Sequence, residues 1–174
     1  MSPDLAVPAA ALLAVLLMML GELWLSKSNE RALLAQGAAE ADDEVFPTMR
    51  WAYPGVFIAM AAEGAAVGAP VGRLTLAGVL LLAVSKALKF WAIASLGTRW
   101  TYRVLVLPAV PLVTRGPYRF VRHPNYVAVV GELLAMALMT GARITGPLGL
   151  AFFGWLLLRR ITAEERAMGL RSRP

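Results

Sequence analysis

The 174-residue chain contains no cysteine and a single histidine, and only 16% of its residues are charged. Without a thiol there is no disulfide, no thiolate nucleophile and no cysteine-ligated metal, and one imidazole excludes a histidine-rich metal centre. Chemistry is left to Arg, Lys, Glu, Tyr and His123. Acid is missing where base is densest: residues 97–124 carry Arg99, Arg103, Arg115, Arg119 and Arg122 but no Asp or Glu. Residues 1–4 have no Lys or Arg. The apolar run at 5–25 therefore lacks the basic flank of a cleaved signal peptide and is expected to stay as a first membrane helix.

What is present is apolar. Hydrophobic residues make up 59% of the chain and the mean hydropathy is +0.64, which marks an integral membrane protein. The expected fold is an all-α polytopic helix bundle forming one membrane domain over residues 1–174. It has about five spans, near 5–25, 51–69, 74–96, 125–144 and 147–161, with a motif loop at 97–124 and a C-terminal helix at 159–170. Trp51, Tyr53, Trp91 and Trp100 stand where aromatic rings sit at the membrane interface. Pro108, Pro111, Pro117 and Pro124 prevent 97–124 from being one helix. A tight turn is expected at 68–72, and Gly64-Ala65-Ala66-Val67-Gly68 presents a small-residue surface for a partner helix, within the chain or in a dimer. The net charge of +6 reads as the charge that sets topology, not as a nucleic-acid footprint. With five spans and a basic carboxyl end, the segment 27–50, the Arg-rich loop and the tail share one side, the cytoplasmic one.

Several polar groups call for an explanation. Glu63, Lys86, Lys89 and Glu132 fall inside expected spans, where a charge costs several kcal/mol unless it faces the bundle interior, a cavity or a partner. Glu132 lies seven residues after Asn125, on the same helix face and roughly 10 Å deeper by the helical rise. It either pairs with Lys89 in a polar pocket, or it is a structural group while both lysines snorkel. The cluster Glu40, Asp42, Asp43 and Glu44 is a solvated loop or surface helix, or a rim that screens by charge. The arginine-rich loop is a lipid-phosphate anchor or an anion-binding loop. Pro124 suits the first turn of a helix capped by His123. Thr162-Ala163-Glu164-Glu165 matches a capping box, and Arg160 and Glu164 form an i,i+4 pair.

The run Gly116-Pro117-Tyr118-x-x-x-Arg122-His123-Pro124-x-Tyr126, followed after two spans by Glu164-Glu165, closely resembles the isoprenylcysteine carboxyl methyltransferase family and its phospholipid N-methyltransferase relatives. Trp100-Thr101-x-Arg103, Pro111-Leu112-Val113 and Arg122-His123-Pro124-Asn125-Tyr126 are similar to a bacterial branch often associated with polyketide-type lipids such as alkylresorcinols and alkylpyrones. The family often has glycine where this chain has Ala128. The resemblance implies S-adenosylmethionine as cofactor, held without a Rossmann fold in a cytoplasm-facing pocket between the motif loop and the C-terminal helix. It implies cofactor contacts from Val113, Gly116, Tyr118, Arg119, Arg122, His123, Pro124, Tyr126, Glu164 and Glu165. The acceptor would be a lipid or prenylated molecule entering from a bacterial inner membrane, methylated on a carboxyl or hydroxyl oxygen. Arg122, His123 and Glu132 are then the expected catalytic groups, and Lys89 and Glu132 the acceptor contacts. No metal and no nucleic acid are expected. A zwitterionic cofactor suits these residue types: Arg122, His123 and the following helix for its carboxylate, Glu164 or Glu165 for its ammonium. Two other readings are an NADPH-dependent, sterol-reductase-like enzyme and a non-enzymatic module whose arginines bind anionic headgroups.

Overall fold

The computed structural model describes residues 3–70, 72–108 and 110–170. Val71 in the expected 68–72 turn and Ala109 in the motif loop lie outside the described residues. Five α-helices follow one another: α1 (Pro3–Ala35), α2 (Phe46–Val67), α3 (Arg73–Leu96), α4 (Pro124–Thr140) and α5 (Thr145–Ala167). Two-residue strands β1 (Ala39–Glu40) and β2 (Leu105–Val106) pair antiparallel, Ala39 with Val106 and Glu40 with Leu105. Two 3-10 turns, Gly97–Arg99 and Gly116–Arg119, shape the proline-rich segment between α3 and α4.

Two boundaries correct the sequence reading. The first helix does not stop near residue 25. It runs 33 residues to Ala35, about 50 Å by the helical rise and well beyond a bilayer's apolar core of about 30 Å. The polar part of 27–50 is thus half helix, because Lys27, Glu30 and Arg31 are good helix formers with no breaker until Gly37. Thr162 is no helix cap either: α5 is continuous there and its hydroxyl donates to the Leu158 carbonyl at 3.0 Å.

By length and apolarity two helices among the described residues suffice to cross a membrane, the stretches Leu5–Ala35 and Arg73–Arg99, and Pro124–Thr140 is a shorter apolar helix. The bundle turns much of its apolar surface outward. Leu13, Leu17, Leu20, Leu76, Leu80, Val84, Leu148 and Leu158 are all exposed, while Phe57, Met60, Leu133, Met136, Phe153 and Leu156 fill the centre. In lipid, apolar faces gain little by meeting each other, so close backbone approach has to hold the helices together. Small residues supply it. A Cβ on Gly64 would lie 2.5 Å from the Thr140 carbonyl oxygen, and one on Gly78 2.8 Å from that of Ala135. Of the expected Gly64–Gly68 surface only Gly64 packs, against α4; residues 65–68 are exposed, and Gly68 lies just past the end of α2 with open space beside it.

Glu63 has a partner as well. Its carboxylate accepts from the Ile144 amide (2.9 Å), the Thr145 amide (2.7 Å) and the Thr145 hydroxyl (2.5 Å). One helix thereby caps the start of another, α5, whose own first residues provide no side-chain cap.

Candidate active site

The motif loop docks on the end of α3 at Gly116. This residue has φ +62, and a Cβ there would run into Ser95, so only glycine fits. Pro117 is buried beside it, and Arg115 Nε reaches the Ser95 carbonyl at 3.2 Å. The chain then turns through Tyr118 and Arg119, and Pro124 opens α4. His123 occupies the N-cap position but its ring makes no capping bond; its carbonyl takes the Tyr126 amide at 3.1 Å.

The imidazole is thereby free to face α5. Nδ1 lies 3.5 Å from Glu164 Oε2 and Nε2 3.3 Å from Glu165 Oε1. Tyr126 stacks on the ring with centroids 5.7 Å apart and donates its hydroxyl to Glu164. Arg122 Nη1 stands 4.0 Å from Glu165 Oε1 and is largely exposed. Arg160, one turn before Glu164, is held on three sides: Nε donates to Glu164 Oε1 at 3.2 Å, Nη1 pairs with Asp43, and Nη2 donates to the Tyr102 carbonyl.

These contacts bias protonation. The hydrogen bond to Glu164 raises the His123 pKa above its usual value with help from Glu165, while burial opposes. Burial pushes the Glu164 carboxyl up, but His123, Arg160 and Tyr126 together hold it below the usual carboxylate range. Tyr118 is pushed up by burial and by the Glu164 charge, so it stays a phenol.

Beside this cluster, α4 and α5 leave an open groove of about 540 Å³. His123, Arg122 and Tyr126 line its head; Val127, Val130, Leu157, Leu158 and Ile161 line the rest, with Gly154 among them. A larger cavity of about 1060 Å³ lies between residues 39–45 and the opposite flank of α5, and none of the motif side chains reaches it. Of the motif residues, Arg122, His123 and Tyr126 line this groove.

A second polar cluster sits inside the bundle. Lys86 and Lys89 of α3 each bridge Glu22 of α1 and Glu132 of α4. Lys86 Nζ lies 2.7 Å from Glu22 Oε1 and 3.0 Å from Glu132 Oε2; Lys89 Nζ lies 3.1 Å from Glu22 Oε2 and 2.7 Å from Glu132 Oε1. All four are buried, and the two positive and two negative charges cancel. Tyr53 donates to Glu132 Oε2 at 2.8 Å and Tyr102 to Glu22 Oε2 at 3.2 Å. Glu132 Oε1 makes no hydrogen bond; its close neighbour is the Lys89 ammonium.

The structure thus gathers His123, Arg122, Tyr126, Glu164 and Glu165, with Tyr118 near them. Lys89 and Glu132 form a separate, deeper group on another face of α4. Val113 is half-buried in the extended stretch before the turn, and Arg119 lies over the Phe120 ring 5.1 Å from its centroid; neither lines the groove. Most loop arginines are engaged internally: Arg99 with the Pro111 carbonyl, Arg103 with Glu40, Arg115 with Ser95. Sequence reasoning missed Glu22, Tyr102 and the anchoring role of Arg160. Glu22 carried a signal, an acid inside an apolar run, which is the criterion that singled out Glu63. For Tyr102 and Asp43 no local pattern existed.

The sequence profile of the isoprenylcysteine carboxyl methyltransferase family matches residues 77–169. The uncharacterized protein YpbQ of Bacillus subtilis (strain 168) is 31% identical over 147 residues, covering 84% of this chain and 88% of that protein. An uncharacterized protein of Haemophilus influenzae is 28% identical over 145 residues, 83% of this chain and 84% of that protein. No solved structure matches the chain. With the motif residues gathered around His123 and the family profile covering more than half of its length, the chain belongs to the isoprenylcysteine carboxyl methyltransferase family, whose members are membrane-integral methyltransferases.

Proposed function

We propose that the protein transfers a methyl group from S-adenosylmethionine to an oxygen of a lipid or prenylated acceptor held in the α4–α5 groove. The observation that carries this reading is the pairing of His123, which lines one end of an otherwise apolar groove, with Glu164 and Glu165. The cofactor suits the side chains present. The carboxylates of Glu164 and Glu165 match an ammonium, while the cationic imidazole, Arg122 and the N-terminus of α4 match a carboxylate. Tyr118 and Tyr126 offer ring faces and edges to an adenosine. When bound, S-adenosylmethionine supplies an electrophilic methyl group on a good leaving group, so the task of the protein is alignment of the acceptor oxygen with it.

Neither candidate base is well placed to take a proton. Glu164 and Glu165 raise the His123 pKa and so favour its protonated form, and both oxygens of Glu132 face lysine ammoniums. An acceptor that arrives ionised, a carboxylate or an acidic hydroxyl, therefore fits best. Arg122 at the groove head would meet its charge, and the groove's apolar walls its chain. Lys89 and Glu132 act in this reading from inside the bundle, as the charged core behind the site. With five spans, the basic loop and tail put the site on the cytoplasmic face. With Arg99, Arg103 and Arg115 engaged internally, Arg119 and Arg122 are the loop arginines left for a nucleotide 2′-phosphate or a headgroup anchor.

The test is transfer of a labelled methyl group from S-adenosylmethionine into a bacterial lipid extract by the purified full-length protein. Label in an alkali-labile or ether-linked lipid product supports the reading. No transfer into any lipid fraction by folded protein contradicts it.

A further inference from the structure

The segment that matches the family begins at residue 77, yet a polar stripe on α1, far outside it, is bonded to the motif side of the molecule. Glu22, Ser26 and Asn29 follow at spacings of four and three, so they share one helix face. All three are buried. Each holds the chain between α3 and β2: Asn29 Nδ2 donates to the Trp100 carbonyl at 2.8 Å, Ser26 Oγ accepts the Tyr102 amide at 2.8 Å, and Glu22 accepts the Tyr102 hydroxyl at 3.2 Å. Tyr102 is thereby gripped through its amide and its hydroxyl, both by α1. Its remaining polar group, the carbonyl, receives Arg160 Nη2. Arg160 in turn donates to Glu164, which faces His123 and Tyr126.

We infer that Ser26, Asn29 and Tyr102 are positioning residues for the cofactor site: the α1 stripe sets where the Tyr102 carbonyl stands, and that carbonyl sets the reach of Arg160 and so the placement of Glu164. The chain of contacts is unbroken from α1 to the imidazole: each link as far as Glu164 is a hydrogen bond to a buried or half-buried group, where an unmet partner is costly, and the last is the 3.5 Å ion pair to His123 Nδ1. Arg160 is planar and held by three groups on one fork, so a shift at one of them is transmitted to the others. The inference rests on the methyltransferase reading, because it assigns Glu164 to the cofactor.

The experiment measures binding of S-adenosylhomocysteine to full-length protein in detergent by calorimetry across pH, alongside the thermal midpoint. The variants are Ser26→Ala, which removes the acceptor of the Tyr102 amide, and Tyr102→Phe, which removes only the hydroxyl. Glu63→Gln, at the opposite end of the bundle, is the control. The expected result is affinity weakened about five- to tenfold in Ser26→Ala and less in Tyr102→Phe. The alkaline limb of binding, which reports His123, should move to lower pH in both. Glu63→Gln should lower the thermal midpoint with affinity and pH profile unchanged. If Ser26→Ala and Tyr102→Phe lower only the thermal midpoint, the stripe is purely structural and the inference falls. If either variant fails to fold, the other decides by the same two readouts, and a failure of both to fold is likewise a structural role that overturns it. Absence of binding by the folded parent protein would instead overturn the methyltransferase reading, and the inference with it.

Discussion

His123 is the residue on which the site turns, and its surroundings make its behaviour with pH predictable. Its pKa is raised by Glu164 and Glu165, so the stability it contributes is full below the ordinary imidazole value and is lost as pH rises through the raised one. Glu164 has the opposite sign: its lowered pKa gives stability present above the ordinary carboxylate value and lost as pH falls through the lowered one. The stability this pair contributes is therefore full between the ordinary carboxylate and imidazole values, about pH 4.5 to about pH 6.5, and declines on either side. The thermal midpoint of the parent protein should decline on the alkaline side of this window, and His123→Gln should flatten that limb. An unchanged alkaline decline in His123→Gln would assign it to another group. His123→Ala should also abolish binding of S-adenosylhomocysteine while leaving helix content intact by circular dichroism; normal binding by this variant would remove the residue from the site.

At the scale of elements, close approach of helices replaces the hydrophobic drive that a soluble core would have. Gly64 meets the backbone of Thr140, so Gly64→Val should cost about 1–3 kcal/mol through overpacking, read as a lower thermal midpoint in detergent. A midpoint unchanged from the parent protein would mean that α2 and α4 do not meet there. The packing of Gly64 was legible in the sequence as a small residue on an apolar helix, but its expected companion Gly68 falls past the helix end and packs against nothing. Pro124 at the start of α4 was legible too, since fixed φ and a missing N–H suit that position. The length of α1 was not, because the change from apolar to polar residues near Lys27 looks like a helix end, although the helix continues to Ala35. Thr162 misled for a related reason: a capping box describes a helix start only where the backbone before it is not already helical.

At the scale of the whole molecule, Glu22, Lys86, Lys89 and Glu132 tie α1, α3 and α4 together through charges that cancel. The sequence pointed to a Lys89–Glu132 contact, but not to the full ring, since pairing across helices 64 residues apart in the chain leaves no local trace. Removing one charge from such a ring leaves another uncompensated in a buried place, so Glu132→Gln should destabilise by about 3–5 kcal/mol. The paired change Lys89→Met with Glu132→Leu restores neutrality and should recover much of that loss. Equal destabilisation of the single and paired variants, by thermal midpoint, would show that the ring does not act as one neutral unit.

A cofactor site between the start of α4 and the end of α5 requires S-adenosylhomocysteine to bind there, which calorimetric titration into full-length protein, beside Glu164→Gln, measures. Saturable binding by the parent protein is expected, with affinity lower by about tenfold or more in the variant, as loss of one charge-assisted hydrogen bond implies. Saturable heat from NADPH with none from S-adenosylhomocysteine, or equal affinity in Glu164→Gln, would contradict it.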